Sequence, residues 1–283
     1  MDSNFQNSQL QIVIDGQFIA TKLLAKLASR IKASSLKPVL NIIVDPNNQV
    51  SMGYVALKKE RASEIGLEVV IHELKSTDTT ESVTDLIKGL SREASAGGII
   101  VQLPLAQNYD TTKIVQSIPV IKDVDVLNRQ EKHPYVQPVA AAVKTALESI
   151  GKNEQLLKQL PSEKIHVVGR GFLVGEPVIA WLQGLGINTV SYGLGDDLSN
   201  LKSAEIIISG TGSAHLIKPE HLSVGVVLID AGTTSDSGEL LGDIDPKSFE
   251  LASFYTPVPG GIGPLTLVKL FENVVIMSEN DSK

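Results

Sequence analysis

The stretch IHVVGRGFLVGEP, residues 165–177, decides the fold of this chain. A short apolar run leads into a glycine-rich turn, and the turn opens into a helical pattern with a proline near its start. Gly169, Gly171 and Gly175 follow the spacing G-x-G-x-x-x-G, one residue longer than G-x-G-x-x-G. Strand, glycine-rich turn and helix in this order suit a dinucleotide, because its phosphates can approach the backbone at the helix N-terminus. The stretch therefore predicts a Rossmann-type domain.

Three apolar runs downstream continue the pattern. They cover residues 189–192, 205–209 and 226–229, and small or acidic residues follow each of them. Small residues at the carboxyl ends of parallel strands leave room for a nucleotide across that edge of the sheet. The second half of the chain is therefore predicted to hold a doubly wound parallel sheet.

The first half also alternates helices and strands, which predicts a second α/β domain with a parallel sheet covered on both faces. Apolar residues recur every four positions after Asp15-Gly16, as in an amphipathic helix. The other predicted elements are strands at 39–44, 67–74 and 98–101 and helices at 51–65, closed by Gly66, and 80–94.

Two polar features of this half suggest chemistry. Tyr54 and Lys58 lie four residues apart on a predicted helix, so they share a face. Such a pair can transfer protons, particularly when burial lowers the lysine pKa, and a solvated lysine resting on a tyrosine ring is the alternative. Gln102 follows strand 98–101 at its carboxyl end, where ligands bind in parallel sheets. A polar residue that merely ends a strand is the alternative for Gln102.

The stretch TPVPGGIGPLT, residues 256–266, holds three prolines and three glycines in eleven residues. This composition is incompatible with a helix or a central strand, so we expect a stiff bend before a final helix. Glycine pairs let the backbone approach a flat ligand, which makes the bend a candidate wall of a cleft. An ordinary Pro/Gly loop is the alternative.

Composition limits the function. The chain has 283 residues, which fits two domains, and a formal net charge of −7, which argues against nucleic acid as a partner. It has no cysteine, which excludes disulfides, zinc–thiolate sites and cysteine nucleophiles and fits a cytoplasmic setting. We expect no signal peptide and no membrane partner, since no apolar run approaches the roughly 20 residues of a membrane span.

The five histidines show no metal-ligand spacing, so no metal site is predicted. His72 and His166 lie within predicted strands and are expected to be structural. His133, His215 and His221 are expected in loops or on the surface.

Seven motifs occur in order along nearly the whole chain. They are Asp15-Gly16, S-x-x-Y-x-x-x-K at 51–58, VQLPL at 101–105, KDVD at 122–125, VGRGFLVGEP at 168–177, GDID at 242–245 and TPVPGGIGPLT at 256–266. Together they resemble the bifunctional methylenetetrahydrofolate dehydrogenase/cyclohydrolase family, whose last motif reads TPVPGGVGPMT. That last run, together with the Tyr, Lys, Gln and Asp set, makes the resemblance specific.

The resemblance implies an enzyme of one-carbon metabolism with two activities. It would oxidise 5,10-methylenetetrahydrofolate with NADP and hydrolyse the methenyl product to 10-formyltetrahydrofolate. The implied folate-binding domain covers 1–138 and is completed by 256–283, with KDVD as a boundary loop and 139–150 as a linker helix. The implied nucleotide-binding domain covers 139–255. A cytoplasmic homodimer through these middle domains and a role in purine biosynthesis are implied in the same way.

The resemblance also assigns residue roles. Lys58 would transfer protons in the hydrolytic step, Gln102 would hold Lys58, Tyr54 would pack against the folate and support Lys58, and Asp125 would bind the pterin edge. The candidate catalytic residues are Lys58, Tyr54, Gln102 and Asp125. The candidate substrate-binding residues are Tyr54, Ser51, Gln102, Leu103, Pro104, Asp125, Pro259, Gly260 and Gly261. The candidate cofactor-binding residues are Gly169, Arg170, Gly171, Val174, Gly175, Gly210, Thr211, Gly212 and Thr233.

The chain departs from the family mostly on the nucleotide side. The family's G-R-S is G-R-G at 169–171, its C-H-S-x-T run is GLGDD at 193–197, and VLN follows KDVD where the family has GFH. In the similar family the arginine at Arg170 meets the 2′-phosphate of NADP. Asp196 and Asp197 lie where an acidic residue accepts from the ribose hydroxyl of NAD. Arg170 is held by the turn, and we expect the aspartates to swing into solvent, so NADP is predicted, with NAD as the alternative.

Other functions stay open at this point. A Rossmann dehydrogenase of a small amino or hydroxy acid has no use for Tyr54, Lys58 and Gln102 together. A non-catalytic folate- or nucleotide-binding dimer is favoured only by the altered nucleotide loops. A family member with cyclohydrolase activity alone, or with NAD, is the remaining alternative.

Overall fold

The computed structural model describes residues 12–34, 37–92, 97–236 and 239–281. The chain forms two compact α/β units. The three-stranded unit comprises residues 20–138 and 267–281, and the six-stranded unit comprises residues 12–19 and 139–266. Two α/β domains with parallel sheets are what the sequence predicts, and this fold class is confirmed.

Helices and strands alternate through most of the described chain. The helices are α1 Gly16–Ser34, α2 Gln49–Glu64, α3 Thr80–Arg92, α4 Thr111–Gln116, α5 Pro138–Ser149, α6 Glu154–Leu157, α7 Gly175–Gly184 and α8 Ile262–Asp281. The strands are β1 Ile12–Val13, β2 Val39–Val44, β3 Glu68–Glu73, β4 Gly98–Val101, β5 Ile165–Val168, β6 Val190–Tyr192, β7 Ile206–Ser209, β8 Val226–Asp230, β9 Thr234–Asp236, β10 Glu239–Leu241 and β11 Ala252–Tyr255. Short 3-10 turns lie at Ser162–Lys164, Leu198–Ser203, Pro219–His221 and Pro246–Leu251.

The three-stranded unit has the strand order β3-β2-β4, with all strands parallel. The central strand β2 is buried at nearly every position, as its apolar run predicts. The open edge of β4 is covered by the next loop, because Ile99 bridges Asp123 and the Ile99 N–H donates to Lys122 O at 2.8 Å. This arrangement fixes the backbone just before Asp125 against the sheet.

The six-stranded unit has the strand order β1-β11-β8-β7-β5-β6, and every neighbouring pair is parallel. Strand β5 lies between β6 and β7, so the chain leaves β5 in one direction across the sheet and later returns on the other side. Ligands of open α/β sheets bind at such a switch point. The glycine-rich turn that follows β5 lies there.

Several local predictions differ from the structure. The 256–266 stretch is not free of helix, since α8 begins at Ile262 and holds Gly263 and Pro264 in its first turn. Proline is tolerated there because the first N–H groups of a helix have no intrahelical partner. The sequence also missed β1, a two-residue strand that pairs with the distant β11. Residues 93–94 of the predicted helix 80–94 lie outside the described residues.

None of the described helices has the length and apolar character to cross a membrane. In the same part of the chain no group of three His, Asp or Glu side chains could hold a metal ion.

Candidate active site

Lys58 on α2 contacts the residue that ends β4. The cap residue of α2 is Asn48, whose side chain accepts from the Ser51 N–H at 3.0 Å and so satisfies one free donor of the first turn. Lys58 Nζ donates to Gln102 Oε1 at 2.5 Å. The Gln102 N–H donates to Ile43 O at 2.8 Å and so extends the sheet by one residue. The parallel sheet thus brings together two residues that lie 44 positions apart in sequence.

The orientation of the Gln102 amide follows from its partners. Its Nε2 donates to Leu103 O at 3.2 Å, which leaves Oε1 facing the lysine. The hydroxyl of buried Ser51 donates to the same carbonyl at 3.4 Å. The Leu103–Pro104 peptide bond is cis. The amide therefore presents an acceptor, not a donor, to Lys58 Nζ.

The surroundings of Lys58 shift its pKa below that of a solvated lysine. Burial lowers the pKa of Lys58, and the nearby carboxyl of Asp125 opposes that shift. Burial raises the pKa of Asp125, and Lys58 opposes that shift in turn. Each charged form is disfavoured by lost hydration and supported by the other. A lysine in this state can exchange a proton closer to neutral pH than a solvated lysine can.

Asp125 is followed by a residue with unusual backbone geometry. Val126 has φ 58, in the left-handed region that a β-branched side chain rarely occupies. The residues on either side hold this conformation: Asp123 Oδ2 accepts from the Asn128 N–H at 2.7 Å, and Asn128 Nδ2 donates to Ile118 O at 2.8 Å. The loop thus keeps its turn without the residue type best suited to it.

His133 lies in a loop, as expected, but its side chain is buried and does not lie on the surface. The ring is only 6% exposed and lies 3.8 Å from the fully buried Asp123 carboxylate, measured from Nε2 to Oδ2. It also bonds through Nε2 to the carbonyl oxygen of Asn128. Asp123 Oδ1 and His133 Nδ1 are buried without a hydrogen-bond partner among the described residues. Burial raises the pKa of Asp123 to about 6.

An exposed apolar stripe lies on α2 beside Lys58. Tyr54, one turn before the lysine, keeps 37% of its surface exposed, and Val50 and Leu57 expose 59% and 43%. The spacing of these residues places them on one helix face. An exposed ring flanked by apolar side chains is the kind of surface that a flat aromatic ligand covers.

Pro259, Gly260 and Gly261 lie in the six-stranded unit, in the bend before α8. The Val258–Pro259 bond is cis, and Gly260 has φ 103. The Gln17 N–H donates to Gly260 O at 2.9 Å, and a Cβ at Gly16 would lie 1.8 Å from Gly261 O. The Asp15-Gly16 motif and the Pro-Gly-Gly bend, noted separately in the sequence, therefore pack together.

The glycine-rich turn after β5 is closed tightly by two of its glycines. Gly169 has φ 101, and a Cβ at Gly175 would lie 1.9 Å from Gly169 O. Gly171 differs, since a Cβ there would meet nothing within 4 Å. The backbone of this turn is therefore bare at the start of α7, where the N–H groups of a helix favour phosphate.

The turn packs against the loop that follows β7. A Cβ at Gly210 would lie 2.1 Å from Val174 Cγ1, so only glycine fits beneath that valine. Gly212 O accepts from the Thr234 hydroxyl at 2.5 Å, next to Thr233. The structure thus brings the Val174 side of the turn and the 210–212 loop into contact.

Two buried carboxylates that the sequence analysis did not assign to the site hold these loops. Asp243 is fully buried; Oδ2 accepts from the Ser209 hydroxyl and the Thr211 N–H, each at 2.6 Å, and Oδ1 accepts from the Ser213 N–H at 3.0 Å. Asp230 ends β8. Two features of the sequence could have pointed to these carboxylates. Asp243 lies in the GDID motif, and Asp230 directly follows an apolar run.

Burial raises the pKa of Asp230 to about 7, although three backbone N–H groups, among them those of Gly232 and Ile244, favour the carboxylate. A carboxyl with a raised pKa keeps its proton in the folded state between about pH 4 and pH 7, where the unfolded chain releases it. The contribution of Asp230 to the free energy of unfolding should therefore be largest below pH 4. It should fall by about 2–4 kcal/mol as pH rises to 7 and then level off.

Urea unfolding at pH 5 and pH 8 checks this expectation. Asp230→Asn should flatten the dependence, whereas Asp85→Asn, at an exposed side chain, should leave it as in the wild type. An equally steep dependence in Asp230→Asn would assign the effect to other groups, with Asp123 the next to test.

Arg170 points its guanidinium at the end of β6. Nε donates to Ser191 Oγ at 3.1 Å, and Nη2 donates to Ser191 O at 2.5 Å. Nη2 also lies 3.2 Å from Asp196 Oδ2. Both aspartates are exposed, as expected, but Asp196 is not free in solvent, because it contacts Arg170 and accepts from the Gly193 N–H at 2.8 Å. Asp197 caps a 3-10 turn.

Comparison with known proteins shows the family to which this chain belongs. The family model described as tetrahydrofolate dehydrogenase/cyclohydrolase, catalytic domain, matches residues 14–125, and the NAD(P)-binding domain model of the same family matches residues 145–282. The chain is 33% identical to the bifunctional protein FolD of Lactobacillus acidophilus over 286 residues, which cover 95% of this chain and 98% of that protein.

Two solved structures have the same fold over almost their full length. The bifunctional FolD methylenetetrahydrofolate dehydrogenase/cyclohydrolase of Campylobacter jejuni gives a TM-score of 0.85 at 26% identity, covering 95% of this chain and 98% of that chain. The Trypanosoma brucei methylenetetrahydrofolate dehydrogenase-cyclohydrolase, complexed with NADP cofactor and inhibitor, gives 0.86 at 26% identity, covering 96% and 98%. This chain belongs to the tetrahydrofolate dehydrogenase/cyclohydrolase family.

Proposed function

We propose that this protein oxidises 5,10-methylenetetrahydrofolate to 5,10-methenyltetrahydrofolate with NADP and hydrolyses the product to 10-formyltetrahydrofolate. The observation that carries the proposal is the hydrogen bond from Lys58 Nζ to Gln102 Oε1, in a chain that belongs to this family. The family models that match this chain describe a tetrahydrofolate enzyme and not a dehydrogenase of a small amino or hydroxy acid.

In the hydrolytic step Lys58 accepts a proton from the water that attacks the methenyl carbon. The new C–O bond neutralises the cation; cleavage of the bond to N5, with a proton delivered to that nitrogen, leaves the formyl group on N10. One proton is released overall. The positive charge of the methenyl group disfavours the ammonium form of Lys58, adding to the effect of burial. Gln102 holds Nζ in place, since its oxygen accepts from both protonation states of the amine.

Asp125 and Tyr54 bind the folate in this proposal. The carboxylate of Asp125 accepts hydrogen bonds from the N–H groups along the pterin edge, which suit a two-oxygen acceptor. The exposed ring of Tyr54 stacks on the flat part of the substrate, with Ser51, Leu103 and Pro104 at the end of β4 beside it.

The six-stranded unit fits a dinucleotide. In its glycine-rich turn Gly175 packs closely against Gly169, and Gly171 adds no side chain at the start of α7. Arg170 supplies a guanidinium at the carboxyl end of the next strand. NADP, when bound, accepts the hydride that leaves the methylene bridge. The proposed holders are the glycine-rich turn, Arg170, the 210–212 loop and Thr233, with Asp243 fixing that loop from below.

Turnover separates the proposed function from its rivals. The protein is incubated with 5,10-methylenetetrahydrofolate and either NADP or NAD, and methenyl absorbance is followed. We expect formation and then loss of the methenyl species. Folded protein without turnover on either cofactor would overturn the proposal and favour a non-catalytic binding protein.

Replacing Asp125 should weaken folate binding. In Asp125→Asn one acceptor oxygen becomes a donor that faces the donors of the pterin, so we expect KM for methylenetetrahydrofolate to rise about 10- to 100-fold, about 1.4–2.8 kcal/mol. Asp110→Asn is the control, because Asp110 caps α4 and asparagine caps equally well. An unchanged KM in Asp125→Asn would remove Asp125 from the binding site.

We also propose that the protein acts as a homodimer in the cytoplasm and supplies formyl groups for purine biosynthesis. Family membership supports this, and the absence of cysteine fits a reducing compartment. Sedimentation at micromolar concentration that gives only the mass of one chain would refute the dimer.

A further inference from the structure

The fork of Arg170 is already engaged by oxygen atoms of its own chain. Nε and Nη2 donate to the hydroxyl and carbonyl oxygens of Ser191, and Nη2 also contacts the carboxylate of Asp196. The arginine and the aspartate side chains are 52% and 43% exposed, so the pair is open to solvent and to a ligand. The positive charge of the guanidinium is therefore partly neutralised by a carboxylate of the same chain.

Asp196 is held in this position by a second contact. Its Oδ2 accepts from the Gly193 N–H at 2.8 Å, so the carboxylate closes the 193–196 turn while it faces the arginine. A Cβ at Gly193 would lie 3.2 Å from Arg170 Nη1, so the turn also runs close beneath the guanidinium. Turn and arginine therefore form one compact acidic–basic cluster just beyond β6.

The position of the cluster relates it to a nucleotide. In a Rossmann domain the residue just past the second strand, about twenty positions after the glycine-rich turn, meets the adenosine ribose. An acidic residue there accepts a hydrogen bond from a 2′-hydroxyl and repels a 2′-phosphate, whereas an arginine attracts the phosphate. In this chain the side chains of Arg170 and Asp196 both lie just beyond β6, and they contact each other.

We propose that Asp196 sets the cofactor specificity of this protein by competing with the 2′-phosphate of NADP for Arg170. Both NAD and NADP can then bind. The inference rests on the dinucleotide site of the proposed function. NADP binds only after the carboxylate has left the guanidinium, while NAD leaves the pair intact and donates its 2′-hydroxyl to Asp196. The exposed pair is weak, so NADP is handicapped but not excluded.

The neighbouring aspartate supplies a matched control. Asp197 carries the same charge one residue further on but turns to Ser199, accepting from its N–H at 2.9 Å and its hydroxyl at 2.7 Å. Replacing either aspartate by asparagine removes one negative charge from the same loop. Only the change at Asp196 removes the carboxylate that contacts Arg170.

The test measures binding of two adenosine fragments to the unliganded full chain by calorimetry. The fragments are adenosine 2′,5′-bisphosphate, which carries the 2′-phosphate, and AMP, which does not. In Asp196→Asn we expect the affinity for the bisphosphate to rise about 5- to 20-fold while that for AMP stays equal or falls. In Asp197→Asn both affinities should stay within about twofold of wild type.

Equal shifts in the two variants, or an unchanged ratio of the two affinities in Asp196→Asn, would overturn the inference; so would wild-type protein that binds AMP but not the bisphosphate. Should Asp196→Asn not fold, Asp196→Ser replaces it, because a hydroxyl also accepts from the Gly193 N–H. The fragments need no folate and no turnover. A protein inactive on folate, with the predicted fragment affinities, would therefore count against the proposed reaction and not against the role of Asp196.

Discussion

Lys58→Met is expected to lower the rate of methenyltetrahydrofolate hydrolysis by about 10²- to 10⁴-fold, the range that a positioned acid–base group supplies. Methionine keeps the length and apolar stem of lysine but cannot accept a proton from water. It also leaves Gln102 Oε1 without its donor. Dehydrogenation should survive in part, since hydride transfer depends on positioning more than on a base. Loss of methenyl absorbance in a stopped assay, with methenyltetrahydrofolate as the starting substrate, measures the hydrolytic step alone.

Lys59→Met is the matched control. Lys59 is the next residue of α2 and is exposed, so the same substitution there removes a charge without touching Gln102. Its hydrolysis rate should equal that of the wild type. A wild-type rate in Lys58→Met would refute the assignment of Lys58, whatever the control does.

Gly175→Ala should have the largest effect of any single methyl group on the nucleotide side. The new Cβ would lie 1.9 Å from Gly169 O, a backbone atom that cannot move without opening the turn. We expect the free energy of unfolding to fall by about 2–4 kcal/mol and the affinity for NADP to fall at least tenfold, because the strain and the phosphate site share the same backbone. Urea unfolding and calorimetric titration with NADP measure the two effects.

The same change at Gly171 should leave the stability of the protein unchanged. A Cβ there meets no protein atom within 4 Å, so the free energy of unfolding of Gly171→Ala should stay within about 0.5 kcal/mol of wild type. If Gly175→Ala and Gly171→Ala behave alike, the close approach of Gly175 to Gly169 is not what keeps the turn in shape.

The parts of the fold that the sequence predicts are those with local causes. Strand β5, its glycine-rich turn and the start of α7 were predictable because apolar run, glycine spacing and proline position all act within thirteen residues. The predicted bounds of strands β2 and β4 equal the observed ones for the same reason, because each is a short apolar run between turn residues. The predicted Pro-Gly bend extends too far along the chain, because composition alone does not distinguish the first turn of a helix from a loop.

The parts that the sequence missed depend on distant contacts. Nothing near Ile12–Val13 signals that they pair with residues 254–255, and two residues are too few for a periodicity. The burial of His133 depends on Asp123 ten positions earlier. The contact between Arg170 and Asp196 required knowing where the 193–196 turn folds back, which a glycine-rich loop does not reveal. Only the family resemblance anticipated that Lys58 and Gln102 would meet.

The bridge between Ile99 and Asp123 has a consequence for how the site can be observed. The Ile99 amide, bonded to Lys122 O, lies three residues before Gln102 and shares a hydrogen bond with the segment that leads to Asp125. Deuterium enters that amide only when the two segments separate, because a hydrogen-bonded amide in a buried strand exchanges through opening. A single exchange rate therefore measures how often the anchors of the glutamine and the aspartate part from each other. A ligand that bridges the side chains of Gln102 and Asp125 should slow exchange of the Ile99 amide without altering exchange at the edge strand β3.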